Sequence, residues 1–175
     1  MDQKITTPIT KGITISLILI VISLATYFLN LMDNKGMQYV GYIVFIVAII
    51  WSVNFYGKQI NYNSTFGNYF AHGFKVSAII TVIMIIFTII FLLLFPEIKE
   101  KGIDAARKNM EAKGNMSSEQ IDQAISITQK FFMVFIIGFA IVFYLILGAI
   151  ASLIGAGVTK KEPMQITGDI NQIGQ

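Results

Sequence analysis

Charged residues are missing from four long stretches of the sequence, and this pattern predicts the fold. Apolar side chains fill the stretches without the alternation of polar and apolar positions that a membrane-spanning β-strand shows. Each stretch exceeds the ~20 residues that a helix needs to cross the hydrocarbon core of a bilayer. The uncharged stretches cover residues 12–32, 36–57, 76–96 and 131–159. We therefore predict an all-α membrane protein with four transmembrane helices.

The spans and their connections predict one four-helix transmembrane domain over residues 1–162. Residues 32–38 form a turn with Asn and Gly, short enough to make the first two spans an antiparallel hairpin. Residues 57–73 are polar but rich in aromatic side chains, so we expect a loop or short helix along the membrane interface. The tail, residues 163–175, is predicted to be disordered. The spans are expected at about residues 12–31, 39–56, 74–95 and 131–158.

The connection between the third and fourth spans, residues 97–130, is the main hydrophilic part of the chain. It carries six basic and six acidic side chains. A break is expected at residues 113–115, and Ser117 with Gln120 forms the pattern of a capping box that opens a second helix. No breaker separates that helix from the fourth span. We predict a charged helical hairpin outside the bilayer, whose second arm continues into the membrane as part of a second antiparallel pair.

The overall composition excludes several classes of protein. Hydrophobic residues make up 55% of the chain and charged residues 13%, about half the usual share of a soluble domain. The absence of cysteine excludes disulfides and thiolate chemistry. The net charge is +3, but no run of basic residues is longer than two, so nucleic-acid binding is not expected.

Lysines at the span ends predict the orientation, and aromatic residues at the span ends predict where the protein contacts the membrane interface. The number of basic residues is similar on both sides, but the lysines of the terminal side lie next to the spans with few acids beside them. We therefore expect both termini in the cytoplasm, with the protein in the bacterial inner membrane. Four residues are predicted to act as interface anchors, three by amphipathic rings and one by extending its amine to the surface: Tyr39, Trp51, Tyr56 and Lys75.

The spans offer little for catalysis or ion coupling. No ionisable residue is expected at membrane depth, so transport through a carboxylate relay is not predicted. His72 is the only histidine and has no second ligand nearby, which favours an interfacial polar residue over a metal ligand. Serine and threonine hydroxyls within the spans lack a base and are expected to form hydrogen bonds within or between helices. We predict no catalytic, cofactor-binding or metal-binding residues, and no cofactor.

The fourth span is rich in small residues at spacings that allow close helix packing. The four candidates are Gly148, Ser152, Gly155 and Ala156. We expect them to pack within the monomer, and the alternative is a homodimer seam.

The order of these features resembles a known family. Residues 66–75 read FGNYFAHGFK before the third span, Pro96 follows that span, and residues 116–121 read MSSEQI before a fourth span that ends in Lys160-Lys161. Over about residues 10–162 the chain resembles the bacterial four-span membrane proteins grouped as domain of unknown function 4199. The resemblance implies a bacterial integral membrane protein and no particular activity.

The sequence therefore favours a non-enzymatic structural or partner-subunit role in the membrane. The alternative is a small oligomeric transporter or channel-like protein for an uncharged or lipidic substrate, with a path lined by Ser, Thr and Asn. The expected partners are the lipid bilayer and either a protein or a second copy of the chain, bound through the fourth span or residues 97–130.

Overall fold

The structure, a computed structural model, describes residues 5–32 and 34–161. All regular secondary structure in this part of the chain is helical, and four of the five helices are long and apolar enough to span a membrane. The predicted all-α fold with four long apolar spans is confirmed. The predicted disordered tail lies outside the described residues. The helices are α1 (Pro8–Phe28), α2 (Lys35–Gln59), α3 (Phe66–Leu94), α4 (Glu97–Lys113) and α5 (Ser118–Val158).

Short polar side chains set where the helices begin. The hydroxyl of Thr7 accepts a hydrogen bond from the amide of Thr10, and Thr65 does the same for Asn68. Asn34 accepts from two amides at the start of α2. The predicted capping box of Ser117 and Gln120 is confirmed, because each side chain bonds to the other residue's backbone amide.

Three of these starts differ from the expected span boundaries, and α2 begins at Lys35 rather than near residue 39. α1 begins at Pro8 rather than near residue 12, and α3 begins at Phe66 rather than near residue 74. The aromatic part of the 57–73 connection is therefore the first two turns of α3, not a separate loop or short helix. α1 also ends earlier than expected, at Phe28, because Asn30 adopts a left-handed backbone with φ 54°.

Contacts between named residues give the directions of the helices. Lys11 of α1 bonds to Ser52 of α2, and Thr6 near the start of α1 bonds to Gln59 at the end of α2, so these helices are antiparallel. The backbone of Gly148 in α5 lies against Ser77 in α3, while that of Gly155 lies against Val53 in α2. α3 has extensive contacts with each of the other three spans and is the central helix of the bundle.

The core of the bundle is apolar and closely packed. The main cluster of this core includes four fully buried residues from α2 and α3 with no exposed surface: Phe45, Ile49, Val76 and Ile80. Apolar side chains also cover the outside of the bundle, where Val47, Val82 and Phe139 are each more than half exposed. A soluble protein of this size would not expose so much contiguous apolar surface. The fold is that of a membrane-embedded multi-pass protein.

α5 joins the bundle to the helices outside it. It has 41 residues and runs unbroken, so it is about 60 Å long, roughly twice the thickness of the hydrocarbon core. α4 packs along its first turns through a small separate core of Ile103, Ile121, Ile125 and Phe132. Arg107 also forms an ion pair with Asp122 at 2.8 Å. We call α4 and residues 118–132 of α5 the helical hairpin.

Candidate functional site

A lysine is buried in the first turns of α1. Only 5% of Lys11 is exposed, its Nζ donates a hydrogen bond to the backbone oxygen of Ser52 at 3.1 Å, and it lies 4.9 Å from the centre of the Phe55 ring. The sequence predicts Lys11 just outside the first span as a surface charge, and no charge inside the bundle. This is a correction: because Thr7 starts the helix one turn earlier, Lys11 faces α2 rather than water.

His72 is buried as well, with 6% of its surface exposed. The early start of α3 puts it on the same helix face as Val76 and Ile80, four and eight residues later, which are core residues. Its ring stacks parallel to that of Tyr56 with the centroids 4.1 Å apart. Its Nε2 has no hydrogen-bond partner among the described residues.

Three more buried polar groups, on α2 and α3, also lack a hydrogen-bond partner in the described part of the chain. They are the hydroxyls of Ser52, Tyr69 and Ser77. Buried polar groups in proteins are nearly always hydrogen-bonded, so a cluster of exceptions needs an explanation. Other buried hydroxyls behave as expected: Thr81 and Ser152 donate to the backbone oxygens four residues earlier in their own helices.

The described charged residues lie at the two ends of the bundle, and the acidic ones lie at only one of these ends. Every described Asp and Glu lies between residues 97 and 122, on the helical hairpin. The opposite end, formed by the starts of α1 and α3 and the ends of α2 and α5, has five described lysines and no described acid. We call it the cationic end; its lysines are Lys11, Lys58, Lys75, Lys160 and Lys161.

A cleft opens at the cationic end between the start of α1 and α3. It has a volume of about 590 Å³. Its polar lining consists only of groups that can donate hydrogen bonds or carry positive charge: Thr6, Thr7, Tyr56, Asn68, His72 and Lys75. The ring of Tyr56 stacks on His72 and also lies 5.8 Å from the Nζ of Lys11, so the buried lysine belongs to the same cluster of side chains.

A second cavity of about 560 Å³ runs from the cationic end along the side of the bundle, between α1 and α2. Thr6 lines both cavities, so the cleft and this groove are neighbours. Lys11 lies at the polar end of the groove, and its other walls are almost entirely apolar, including Ile15, Ile18 and Trp51.

The predicted interface anchors take different positions. Tyr39 and Trp51 are 62% and 56% exposed, and Lys75 is exposed at the rim of the cleft. Tyr56 is half-buried, since its ring covers His72.

The predicted packing residues Gly148, Ser152, Gly155 and Ala156 are all buried within the single chain. Gly148 and Gly155 allow α5 to approach α3 and α2, because a methyl group on either would crowd Ser77 or Val53. In contrast, a methyl group added at Gly138 or Gly157 would have no described atom of another helix within 4 Å.

At the other end of the bundle, Tyr27 of α1 donates a hydrogen bond to the carboxylate of Glu97, the first residue of α4. This hydrogen bond, together with one from the backbone amide of Glu97 and the charge of Lys101, lowers the pKa of Glu97 below its ordinary value. The contact ties the start of the helical hairpin to the end of α1.

Comparison with known proteins places this architecture in a family. The model of a family described as "Protein of unknown function (DUF4199)" matches residues 10–161, which include all but the first two residues of α1, the other three spans and the helical hairpin. The chain belongs to the DUF4199 family. No curated protein and no solved structure matches it significantly. Membership of DUF4199 agrees with the resemblance found in the sequence and, by its description, assigns no activity.

The burial of Lys11 and His72 in this DUF4199 chain was not predicted, although the sequence contains signals for the early helix starts that cause it. Thr7 before Pro8 is the pattern of an N-cap followed by a proline at the first helical position. Thr65 is the corresponding cap for α3.

Proposed function

We propose that this protein is a non-enzymatic component of the bacterial inner membrane, in which the four-helix bundle presents the helical hairpin to a protein partner. The observation that carries the proposal is the continuity of α5 from Ser118 to Val158. A single helix belongs both to the bundle and to the hairpin, so the two parts are held in a fixed relation.

The hairpin has the features of a rigid projection rather than a loose loop. About half of the length of α5 exceeds what is needed to cross the hydrocarbon core. α4 is fixed to this part by buried apolar contacts and by the Arg107–Asp122 ion pair, and to the bundle by Tyr27 and Glu97. A rigid surface loses less entropy when a partner binds than a mobile one does.

The charge distribution supports an orientation with the cationic end in the cytoplasm and the helical hairpin on the periplasmic face. Lysines next to span ends are retained on the cytoplasmic side during insertion. The absence of native cysteine makes single-cysteine labelling a direct test. Cysteine at Lys113 is expected to react with a membrane-impermeant maleimide in spheroplasts, whereas cysteine at Lys58 reacts only after permeabilisation. The reverse pattern would contradict the orientation.

The partner role is tested by photo-crosslinking in intact cells. A photoreactive amino acid at Gln123, exposed on the hairpin, is expected to give one discrete adduct with another protein. The same probe at Val82, on the exposed apolar face of α3, is the control and is expected to give none. The adduct should disappear when Ile125→Asp places a charge in the hairpin core. Adducts only with a second copy, or equal adducts at both positions, would overturn the partner role.

The transporter alternative predicts a different result. The proposed role requires no solute path, and Phe45, Ile49, Val76 and Ile80 occupy the centre of the bundle. Flux of an uncharged solute through the reconstituted protein, abolished by Thr81→Ala or Asn54→Ala, would replace the present proposal with the transporter.

A further inference from the structure

The cationic end combines a polar cleft with an apolar groove, and this combination indicates a class of ligand. We propose that the cleft at the cationic end binds the phosphate of an anionic membrane phospholipid, while one acyl chain lies in the groove between α1 and α2. The site is independent of the helical hairpin and of any protein partner.

The polar groups that line the cleft favour an anionic ligand. The lining supplies hydroxyl, amide, imidazole and ammonium groups from Thr6, Thr7, Asn68, His72 and Lys75, and no carboxylate. A phosphate with its several acceptor oxygens is the complement of such a donor-rich lining. A cationic ligand would be repelled by the lysines at this end, because every described acid lies on the helical hairpin.

His72 lines the cleft and carries a polar atom that is unpartnered in the described part of the chain. His72 is more than nine-tenths buried, is fixed by stacking on Tyr56, and has an Nε2 without a hydrogen-bond partner among the described residues. α1 and α3 both begin at this end, so their macrodipoles add partial positive charge near the same cleft. A bound phosphate group would interact favourably with both features.

The apolar groove beside the cleft favours a lipid over a soluble phosphate. The groove starts at Thr6, which also lines the cleft, and passes Lys11 towards Ile18. From Lys11 to Ile18 the helix advances about 10 Å, along walls that are almost entirely apolar. It opens sideways, where an embedded protein meets the acyl chains of the bilayer. A phospholipid at this position would fill both cavities, whereas inorganic phosphate would fill only the cleft.

The only tryptophan of the chain, Trp51, lines the groove and reports its occupancy. The full-length protein is reconstituted in phosphatidylcholine vesicles that contain increasing fractions of phosphatidylglycerol with brominated acyl chains, which quench tryptophan fluorescence. Brominated phosphatidylcholine gives the quenching by non-selective contact. We expect brominated phosphatidylglycerol to quench at a several-fold lower fraction.

Two lysine variants separate a built site from general surface attraction. Lys75 lines the cleft, whereas Lys58 is an exposed lysine of the same end outside both cavities. Lys75→Gln is expected to reduce the preference for phosphatidylglycerol about tenfold, the factor for one charge-assisted hydrogen bond to the phosphate. Lys58→Gln is expected to preserve it. His72→Gln, which removes the imidazole from the cleft wall, is expected to reduce the preference as Lys75→Gln does.

The remaining outcomes each overturn the proposal. Equal quenching by the two lipids would show that no selective site exists. Equal loss of preference in Lys75→Gln and Lys58→Gln would assign the effect to general electrostatics. Reversal of the selective quenching by millimolar inorganic phosphate or glycerol phosphate would show that the cleft takes the phosphate group alone and that the acyl chain is not recognised.

Discussion

The side chain of Ser77 lies directly against the backbone of Gly148, so that a methyl group on this glycine would collide with the Ser77 hydroxyl oxygen and lie only 2.6 Å from its Cβ. This contact brings α3 and α5 together and is possible only because residue 148 has no side chain. Small residues allow this kind of close approach between membrane helices, where packing contributes much of the association energy.

Gly148→Ala is therefore expected to destabilise the bundle. Overpacking of a closely packed contact costs about 1–3 kcal/mol, which for a chain of this length lowers Tm by several degrees. The measurement is thermal unfolding in detergent. Gly138→Ala is the matched control, because no described atom of another helix lies within 4 Å of its added methyl group. The double variant Gly148→Ala with Ser77→Gly removes both clashing atoms and should regain part of the lost Tm. An unchanged Tm in Gly148→Ala would contradict the packing.

The α3–α5 contact also shows what the sequence could predict about the fold. The spacing of Gly148, Ser152, Gly155 and Ala156 is local, so it indicated a close contact without the structure. The spacing did not identify Ser77 and Val53 as the facing residues, because the partner of a helix face depends on how all four spans are arranged. The capping box at Ser117 was predictable for the same reason: both of its partners lie within one turn.

The candidate site was not predicted, because it depends on the starts of two helices. Hydropathy marks where the apolar stretch begins, but Thr7 and Thr65 start α1 and α3 before the apolar stretches. These extra turns bring Lys11 and His72 inside the bundle. Their neighbours Ser52 and Tyr56 come from α2, so the cluster exists only in the assembled fold.

The helical hairpin should depend more on its apolar core than on its ion pair. Ile125 of α5 packs against α4 and only 4% of it is exposed. Truncation of such a side chain lowers the free energy of unfolding by about 2–5 kcal/mol. Arg107 and Asp122 are both substantially exposed, and such pairs contribute about 1 kcal/mol or less. Ile125→Ala is expected to increase hydrogen exchange of the α4 amides strongly, and Arg107→Gln only slightly.

The control for this comparison is Ile127→Ala, two residues along α5, where the side chain is 54% exposed. It should leave exchange in α4 unchanged. Faster exchange in Arg107→Gln than in Ile125→Ala would show that the ion pair, not the core, holds the hairpin.

The hydrogen bond between Tyr27 and Glu97 predicts a pH dependence at the start of α4. Because the pKa of Glu97 is lowered in the folded protein, its contribution to stability is present above its ordinary pKa, near 4.5, and is lost as the pH falls through the lowered value. Tyr27→Phe removes the main cause and is expected to raise the pKa of Glu97. The backbone amide and Lys101 should still keep it somewhat below the ordinary value.

Carbon-detected NMR titration of labelled glutamate in nanodiscs measures this pKa directly. Tyr42→Phe is the matched control, since the ring of Tyr42 packs against Phe143 and not against α4. Identical Glu97 titration curves in the wild-type and Tyr27→Phe proteins would exclude the contribution of the hydrogen bond.

Lys11 makes the last prediction, because its burial has no counter-charge among the described residues. Its contacts are a backbone oxygen and two aromatic rings, whereas every described carboxylate is on the helical hairpin. Moving an ammonium group from water to such a position costs free energy that one hydrogen bond and cation–π contacts offset only in part. Lys11→Met keeps the length and apolar volume of the side chain and removes the charge. It is therefore expected to leave Tm unchanged or to raise it by a few degrees. Lys11→Ala should lower Tm instead, because it also leaves a cavity beside Phe55. A drop in Tm for Lys11→Met as large as that for Lys11→Ala would show that the ammonium group itself stabilises the bundle.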